Sequence, residues 1–398
     1  MGGGMKAFVA VGIMSGTSLD GFDAVLCRAK PKGDSYDLKR IAHIHAPYPA
    51  SWKGMARKIA AKNLLRESAF FGAIWSEEAA KWVKRLAKKS GTPLSKIDCI
   101  GIHGQTIAHL PSPSRFLGRS LGITVQLADI SRLAVRTGIT VVGNFRTADI
   151  AAGGEGAPLA PYAHRLLFAQ RGKNVAIHNL GGIGNVTLLQ GNRMALAFDT
   201  GPANIWIDTV VQWKTGGRLS FDRHGKLGRR GKPDSKLLSV LSRHPYFRRK
   251  PPKSAGWEEF GSSFLRNLWP QLRRLSIEDA VSTVTHATAR ATSDAYHKFV
   301  LSRVKLDRLV FCGGGARNHF LTELISQKLS PLSTFTSDRW NPSNNIPVDE
   351  VEAVAFALLA LETIRGRPNN EPAATGAKRA VICGEIALAS VRSPLRSS

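Results

Sequence analysis

Apolar residues along the chain fall into short runs broken by glycine-rich or polar turns, and the runs alternate between two periods. Residues 6–14 (KAFVAVGIM) and 22–29 (FDAVLCRA) are nearly continuous apolar runs around Ser15-Gly16 and Asp20-Gly21, which predicts two strands joined as a hairpin. Leu65, Phe70, Ile74, Ala79, Trp82 and Leu86 recur at near-helical spacing and predict a helix over 65–90. KIDCIGIHG (96–104) reads as a strand, followed by a short helix at about 126–137 and a strand at 139–143. The opening theme then returns. NVAIHNLGGIGNVTLL (174–189) is strand, glycine-rich turn and strand, and MALAFDTGP (194–202) adds a strand ending at Asp199. Helices are expected at about 203–213, 260–274, 278–303, 318–329 and 348–364, with a strand at 307–315. Residues 216–258, rich in glycine, proline and basic residues, show little periodicity and read as a long loop.

Two hairpin-led units thus open two halves of an α/β chain, and 398 residues suffice for two or three domains of about 150 each. The domains are drawn at 1–142 and 143–369, with residues from about 370 to 398 expected to pack back on the first. A composition of 43% hydrophobic and 21% charged residues excludes a disordered or fibrous chain. No apolar run reaches the ~18–20 residues of a membrane span, and the first apolar stretch lacks a small-residue cleavage site, so it reads as a strand. Cys27, Cys99, Cys312 and Cys383 stand singly, which fits a reducing cytoplasm and argues against a structural zinc site. The net charge of +27 attracts polyanions, but the basic clusters at 81–89, 223–232 and 248–253 lack interleaved aromatic residues. They read as a basic surface, with at most salt-sensitive association with nucleic acid and no specific nucleic-acid or membrane partner.

The candidate chemistry sits at the turns. MSGTSLDG (14–21) offers glycine amides from Gly16 and Gly21, hydroxyls from Thr17 and Ser18, and the Asp20 carboxylate, a hard oxygen ligand suited to magnesium. The same residue types also form ordinary turns, and the GK[ST] of a Walker loop is missing. NLGGIGNVT (179–187) places Gly181, Gly182 and Gly184 around a second bend, and CGGGARN (312–318) places Gly313, Gly314 and Gly315 between a strand and a helix. Three such turns at strand ends favour a nucleotide cleft. Asp199, in FDTGP, ends an apolar strand, where α/β folds place ligand-facing groups; it reads either as a general base or as a cap of the next helix. His103 and Gln105 in HGQT are polar-ligand candidates, Arg146 is an anion clamp or a surface charge, and Glu352 is an inward-facing acid or a solvated one.

Taken together these motifs resemble the anhydro-N-acetylmuramic acid kinase family. The matching segments are GIMSGTSLDGFDAVL (12–26), HGQTIAHLP (103–111), NFRTADIAAGGEGAPLAPYAH (144–164), NLGGIGNVT (179–187), FDTGPAN (198–204), HPYFRRKPPKSAG (244–256), CGGGARN (312–318) and VDEVEAVAFALLA (348–360). They follow the family order across nearly the whole chain. The resemblance implies a two-domain actin-like fold, that of acetate and sugar kinases, Hsp70 and actin, with the active site in the interdomain cleft. It implies an ATP- and Mg2+-dependent reaction that opens the 1,6-anhydro ring of anhydro-N-acetylmuramic acid with water and phosphorylates O6. By position, Asp199 activates the water, and Gly16, Thr17, Ser18, Leu19, Asp20, Gly21, Phe22 and Asp23 hold ATP phosphates, with Asp20 near magnesium. Gly181 and Gly182 form the second phosphate hairpin, Gly313, Gly314 and Gly315 lie towards the adenosine, and Gln105, Arg146 and Glu352 match the sugar side. A cytoplasmic enzyme of cell-wall recycling, as a homodimer, is the corresponding expectation.

Departures from the family pattern are Asn144 for Asp, Ala148 for Arg, Gly184 for Ala and Trp257 for a frequent Arg. Two of them flank the sugar-side motif and keep another anhydrosugar such as levoglucosan in view as substrate. A nucleotide-binding regulator without turnover is the rival of another class, although Asp199 and the phosphate turns are intact.

Overall fold

The computed structural model describes residues 6–16, 21–62, 64–340 and 345–389. Its strands in chain order are β1 (Phe8–Ser15), β2 (Gly21–Lys32), β3 (Ser35–Pro47), β4 (Cys99–Ile102), β5 (Gln105–Phe116), β6 (Arg119–Leu127) and β7 (Val141–Gly143). There follow β8 (Asn174–Leu180), β9 (Ile183–Gln190), β10 (Arg193–Pro202), β11 (Arg308–Cys312), β12 (Ser333–Thr336) and β13 (Glu385–Ala387). The chain divides into two compact units, residues 1–167 with 352–398, and residues 168–351. The sequence reading drew its boundaries at 142/143 and 369/370. The helix Val351–Ile364 groups with the first unit because it lies directly under that unit's sheet.

In the first unit the sheet runs β13-β7-β4-β1-β2-β3. β1, β2 and β3 form an antiparallel meander, β4 and β7 add in parallel, and β13 closes the edge antiparallel to β7. On one face the helix Leu65–Ser90 buries Phe71, Trp75, Ala79, Val83 and Leu86, and it ends at Gly91 in the left-handed region. The helix is where the periodicity predicts it, but its buried stripe is shifted: of the expected positions only Ala79 and Leu86 are buried, while Leu65, Phe70 and Ile74 are exposed. The opposite face receives the helix Val351–Ile364 at close range. A Cβ on Gly12 would stand 1.8 Å from the Ala353 carbonyl oxygen, and one on Gly101 2.0 Å from that of Phe356. Glycine inside a strand therefore marks a close backbone approach here.

The second unit repeats the plan, with strand order β10-β9-β8-β11-β12. β8, β9 and β10 form the meander, and β11 and β12 add in parallel. Its core gathers Trp206, Tyr246, Phe260, Tyr296 and the inward faces of these strands. The duplication expected from the two hairpins is thus a duplication of strand order.

The structure corrects the local reading in several places. β3 and the β5–β6 ribbon were not expected, and the helix placed at 126–137 begins at Ile130, where Asp129 caps the Arg132 amide at 2.8 Å. Residues 216–258 are packed structure and not a long loop. They contain the helices Lys226–Arg230 and Ser235–Leu241, the Asp222 carboxylate accepts from the amides of Leu227 and Gly228, and Leu237, Leu241 and Tyr246 are buried. The helix expected to 303 ends at Ala295 and continues as a π-helical turn, Tyr296–Val300. Among the described residues no helix is long and apolar enough to cross a membrane.

Candidate functional site

In the second unit Asp199 lies on β10 at a register shift between Asp199 and Gly201. Such irregularities redirect side chains. Its backbone is held from both sides: the Asp199 amide donates to the Lys253 carbonyl at 3.1 Å, and the Tyr246 hydroxyl donates to the Asp199 carbonyl at 2.8 Å. One carboxylate oxygen, Oδ2, accepts from the Ala255 amide at 2.8 Å, while no hydrogen bond to Oδ1 is found among the described residues. Burial raises this carboxyl to about 6, against the lowering effects of the Ala255 amide and the Lys253 charge. A carboxylate with one open oxygen and a proton affinity close to neutrality can take a proton from water.

The helix-cap reading of Asp199 is excluded. The helix Asn204–Thr215 carries no side-chain cap, and its leading amides go elsewhere. Ala203 and Ile205 donate to the Gly182 carbonyl at 3.0 and 3.1 Å, and Asn204 donates to that of Gly181 at 3.0 Å. The β8–β9 turn is therefore tied to this helix through its carbonyls. At the third turn, Gly313 has φ +81° and a Cβ there would come 2.2 Å from Asn179 Oδ1; at Gly315 it would come 2.6 Å from Asn204 Oδ1. Packing demands glycine at both. A Cβ at Gly314 or Gly182 meets nothing within 4 Å. These glycines do not open the helix directly: a 3-10 turn, Gly314–Arg317, intervenes, and Asn318 caps the helix His319–Lys328 by accepting from Leu321 at 3.0 Å.

In the first unit Thr17, Ser18, Leu19 and Asp20 lie outside the described residues. Gly16 follows β1, and Gly21 opens β2 with φ +154° and with room for a Cβ only 2.2 Å from the Ala46 carbonyl oxygen. The Phe22 ring is buried among Tyr48, Trp75 and Trp82, so this residue can offer a ligand only its backbone. Asp23, on the other face of the strand, accepts from His43 Nε2 at 2.9 Å and His45 Nδ1 at 3.1 Å. Burial opposes its ionisation, but these two hydrogen bonds bring its carboxyl below the ordinary value.

Gln105 is buried at the start of β5, and its role is set by a directed chain: Trp75 donates to the Tyr48 hydroxyl, which meets Ser15 Oγ at 2.6 Å, and Ser15 donates to Gln105 Oε1 at 2.8 Å. Arg146 is no free surface charge. Its Nη1 donates to the Gly156 carbonyl at 2.7 Å and its Nη2 meets His103 Nε2 at 2.8 Å. His103 Nδ1 lies 2.8 Å from the Gly104 carbonyl, so Nδ1 carries the proton and Nε2 accepts. Burial pulls His103 down to about 3 and keeps it neutral, and burial lowers Arg146 to about 10, still charged, with the Glu352 and Asp149 charges supporting it. The structure thus joins His103, Arg146 and Glu352 into one group. Asn144 has φ +54°, a region that asparagine tolerates, and bridges Thr147 at 2.5 Å and Glu385 at 2.6 Å. The side chain of Trp257 lies outside the described residues.

Sequence reasoning passed over Lys253 and Asp149. Both sit inside quoted motifs, one of them in a basic run, and only folding shows the Lys253 ammonium buried among rings and Asp149 buried among hydrogen-bond donors.

The doubled strand order places this chain in the actin-like class of α/β proteins. Within that class, residues 8–389 match the family model described as anhydro-N-acetylmuramic acid kinase, and the chain belongs to that family. The anhydro-N-acetylmuramic acid kinase of Caldanaerobacter subterraneus subsp. tengcongensis is 39% identical over 396 residues, covering 96% of this chain and 97% of its own. That of Gloeobacter violaceus is 40% identical over 388 residues, covering 96% and 99%. Among solved structures, the activator of the 2-hydroxyisocaproyl-CoA dehydratase from Clostridium difficile with bound ADPNP aligns over 90% of this chain and 96% of its own, at 11% identity and a TM-score of 0.46.

Proposed function

We propose that this chain is an ATP-dependent kinase that opens the 1,6-anhydro ring of anhydro-N-acetylmuramic acid and phosphorylates O6, in the recycling of cell-wall sugars. The observation that carries the mechanism is the Asp199 carboxylate, held by its backbone and by one amide on Oδ2, with Oδ1 open. Asp199 takes a proton from water as the water oxygen bonds to C1. The C1–O6 bond breaks, and O6 accepts the γ-phosphoryl group of the substrate ATP, releasing ADP. Positioning and charge stabilisation supply most of the rate in such transfers. The amide-bearing turns at Gly16–Asp23, Gly181–Gly182 and Gly313–Gly315 are assigned to ATP, and Gln105, Arg146 and Glu352 to the sugar. For Arg146 the assignment draws on its charge and on its fixed donation to His103 and Gly156.

Magnesium would accompany the ATP phosphates, and Asp20 is the carboxylate assigned to it. Among the described residues no three His, Cys, Asp or Glu side chains gather to hold a metal. The proposal includes a cytoplasmic location and a homodimer, open to fractionation and to sedimentation. The decisive experiment is ADP release from ATP and magnesium, with anhydro-N-acetylmuramic acid and levoglucosan tested side by side. Release with the muramic substrate alone is expected. Release with levoglucosan alone overturns the substrate assignment, and ATP binding without release on either sugar overturns the kinase.

A further inference from the structure

Lys253 occupies an unusual place for a residue in the run RRKPPK. Its Nζ is buried and makes no hydrogen bond among the described residues. Three rings surround it instead, with centroids at 4.5 Å for Tyr246, 5.0 Å for Phe299 and 5.7 Å for Phe198. Ring faces attract a cation through their quadrupole but replace only part of the hydration it loses. An ammonium stripped of water loses several kcal/mol, so an anion within electrostatic reach is required to keep it charged.

The groups facing the ammonium identify that anion. Lys298 and Arg249 are positive and oppose it, and Arg249 is itself paired with Glu259 at 3.1 Å. Tyr246 stays protonated, since burial holds its hydroxyl well above the ordinary range, and it donates to the Asp199 backbone. Asp199 is the remaining charged group. Three hydrogen bonds join it to the strap 246–255, two of them within two residues of the lysine Nζ's own Cα. Phe198, adjacent to Asp199, forms one wall of the cage.

We propose that Lys253 is a positioning residue for the Asp199 base: its caged ammonium is the counter-charge that keeps the carboxylate ionised and draws the 246–255 strap against it. The inference rests on the reading of Asp199 as the base. Arginine cannot replace this lysine without changing the cage, but it preserves the charge, and methionine preserves the stem without it. The two side chains form a coupled pair, so each shifts the other.

The test is an NMR titration of the Asp199 carboxyl carbon, assigned by its loss in Asp199→Asn, in the full-length wild-type, Lys253→Met and Lys253→Arg proteins. The midpoint is expected to rise by about one pH unit in Lys253→Met and to return towards wild type in Lys253→Arg. A reciprocal measurement needs no change at the lysine: the Lys253 Cε resonance should titrate at lower pH in Asp199→Asn than in wild type. Unmoved midpoints in both directions overturn the proposal and leave Lys253 a packing residue. The acid limb of kcat/KM is then compared with the carboxyl midpoint across the same variants. A limb that stays put while the carboxyl moves leaves the pairing standing and removes Asp199 from the role of base.

Discussion

Asp149 in the first unit and Asp199 in the second are both shielded carboxylates beside glycine-rich turns, and they are treated in opposite ways. Asp149 is fully buried, and its oxygens accept from Asn370 Nδ2 and Thr375 Oγ1 at 2.7 Å each and from the Gly156 amide at 2.8 Å. It ties the segment after β7 to the C-terminal segment, and it fixes the loop whose Gly156 carbonyl receives Arg146. Asp199 accepts one amide on Oδ2, and the charge acting on it is the ring-caged Lys253 ammonium. The contrast separates two uses of a carboxylate. A full set of donors makes a structural clamp, whereas a sparse set leaves the Asp199 charge costly and the group basic.

The largest expected effect is therefore on chemistry. Asp199→Asn removes the base and should lower kcat by about 10²–10⁴-fold. ATP binding, measured by calorimetry, should persist because the glycine turns are untouched. Turnover at the wild-type rate would assign the base elsewhere.

Asp149→Ala should act on stability instead. Three donors lose their acceptor in a dry site, and each orphaned group costs about 1–3 kcal/mol, so unfolding free energy should fall by at least about 3 kcal/mol in urea melts. A loss below about 1 kcal/mol would mean that the clamp is dispensable.

The same comparison gives a signed pH effect of intermediate size. The Asp199 carboxyl is raised from 3.8 to about 6 in the folded protein. Between those values the native state binds more protons than the unfolded one, so this residue makes stability fall as pH rises through that window. Two units correspond to about 3 kcal/mol, and partial exposure reduces this to roughly 2 kcal/mol. Asp199→Asn should thus be more stable than wild type at pH 7.5 and equal to it near pH 4. Equal melting temperatures at both pH values would contradict a strained carboxylate.

How much of this was legible in the chain depends on the range of the interaction. The helix Leu65–Ser90 and the paired strands β1–β2 and β8–β9 carry their own periodicity, and the sequence shows them directly. The β5–β6 ribbon does not. Pro111 and Pro113 interrupt it, and Leu110, Phe116, Leu121 and Ile123 are exposed, so no buried alternation marks it as a strand pair. The segment 216–258 reads as a loop because its helices are too short to show a period, and single residues such as Leu237 and Tyr246 anchor it. Asp199 was visible as a strand-end carboxylate, but its choice between base and cap needed the position of the Ala203, Asn204 and Ile205 amides. Lys253 was invisible because burial of one ammonium among three rings is a long-range property.

The smallest effect distinguishes a glycine required by the fold from one left open. Gly313→Ala forces a side chain into φ +81° and to within 2.2 Å of Asn179 Oδ1, and should destabilise the second unit by about 1–3 kcal/mol. Gly314→Ala places its methyl where nothing lies within 4 Å, and stability should stay within about 0.5 kcal/mol of wild type. If that open face receives the adenosine, the added methyl should still weaken ATP binding several-fold in calorimetry while leaving the melt unchanged. An unchanged ATP affinity in Gly314→Ala would move the adenosine away from this turn and leave Gly313 and Gly315 as packing glycines only.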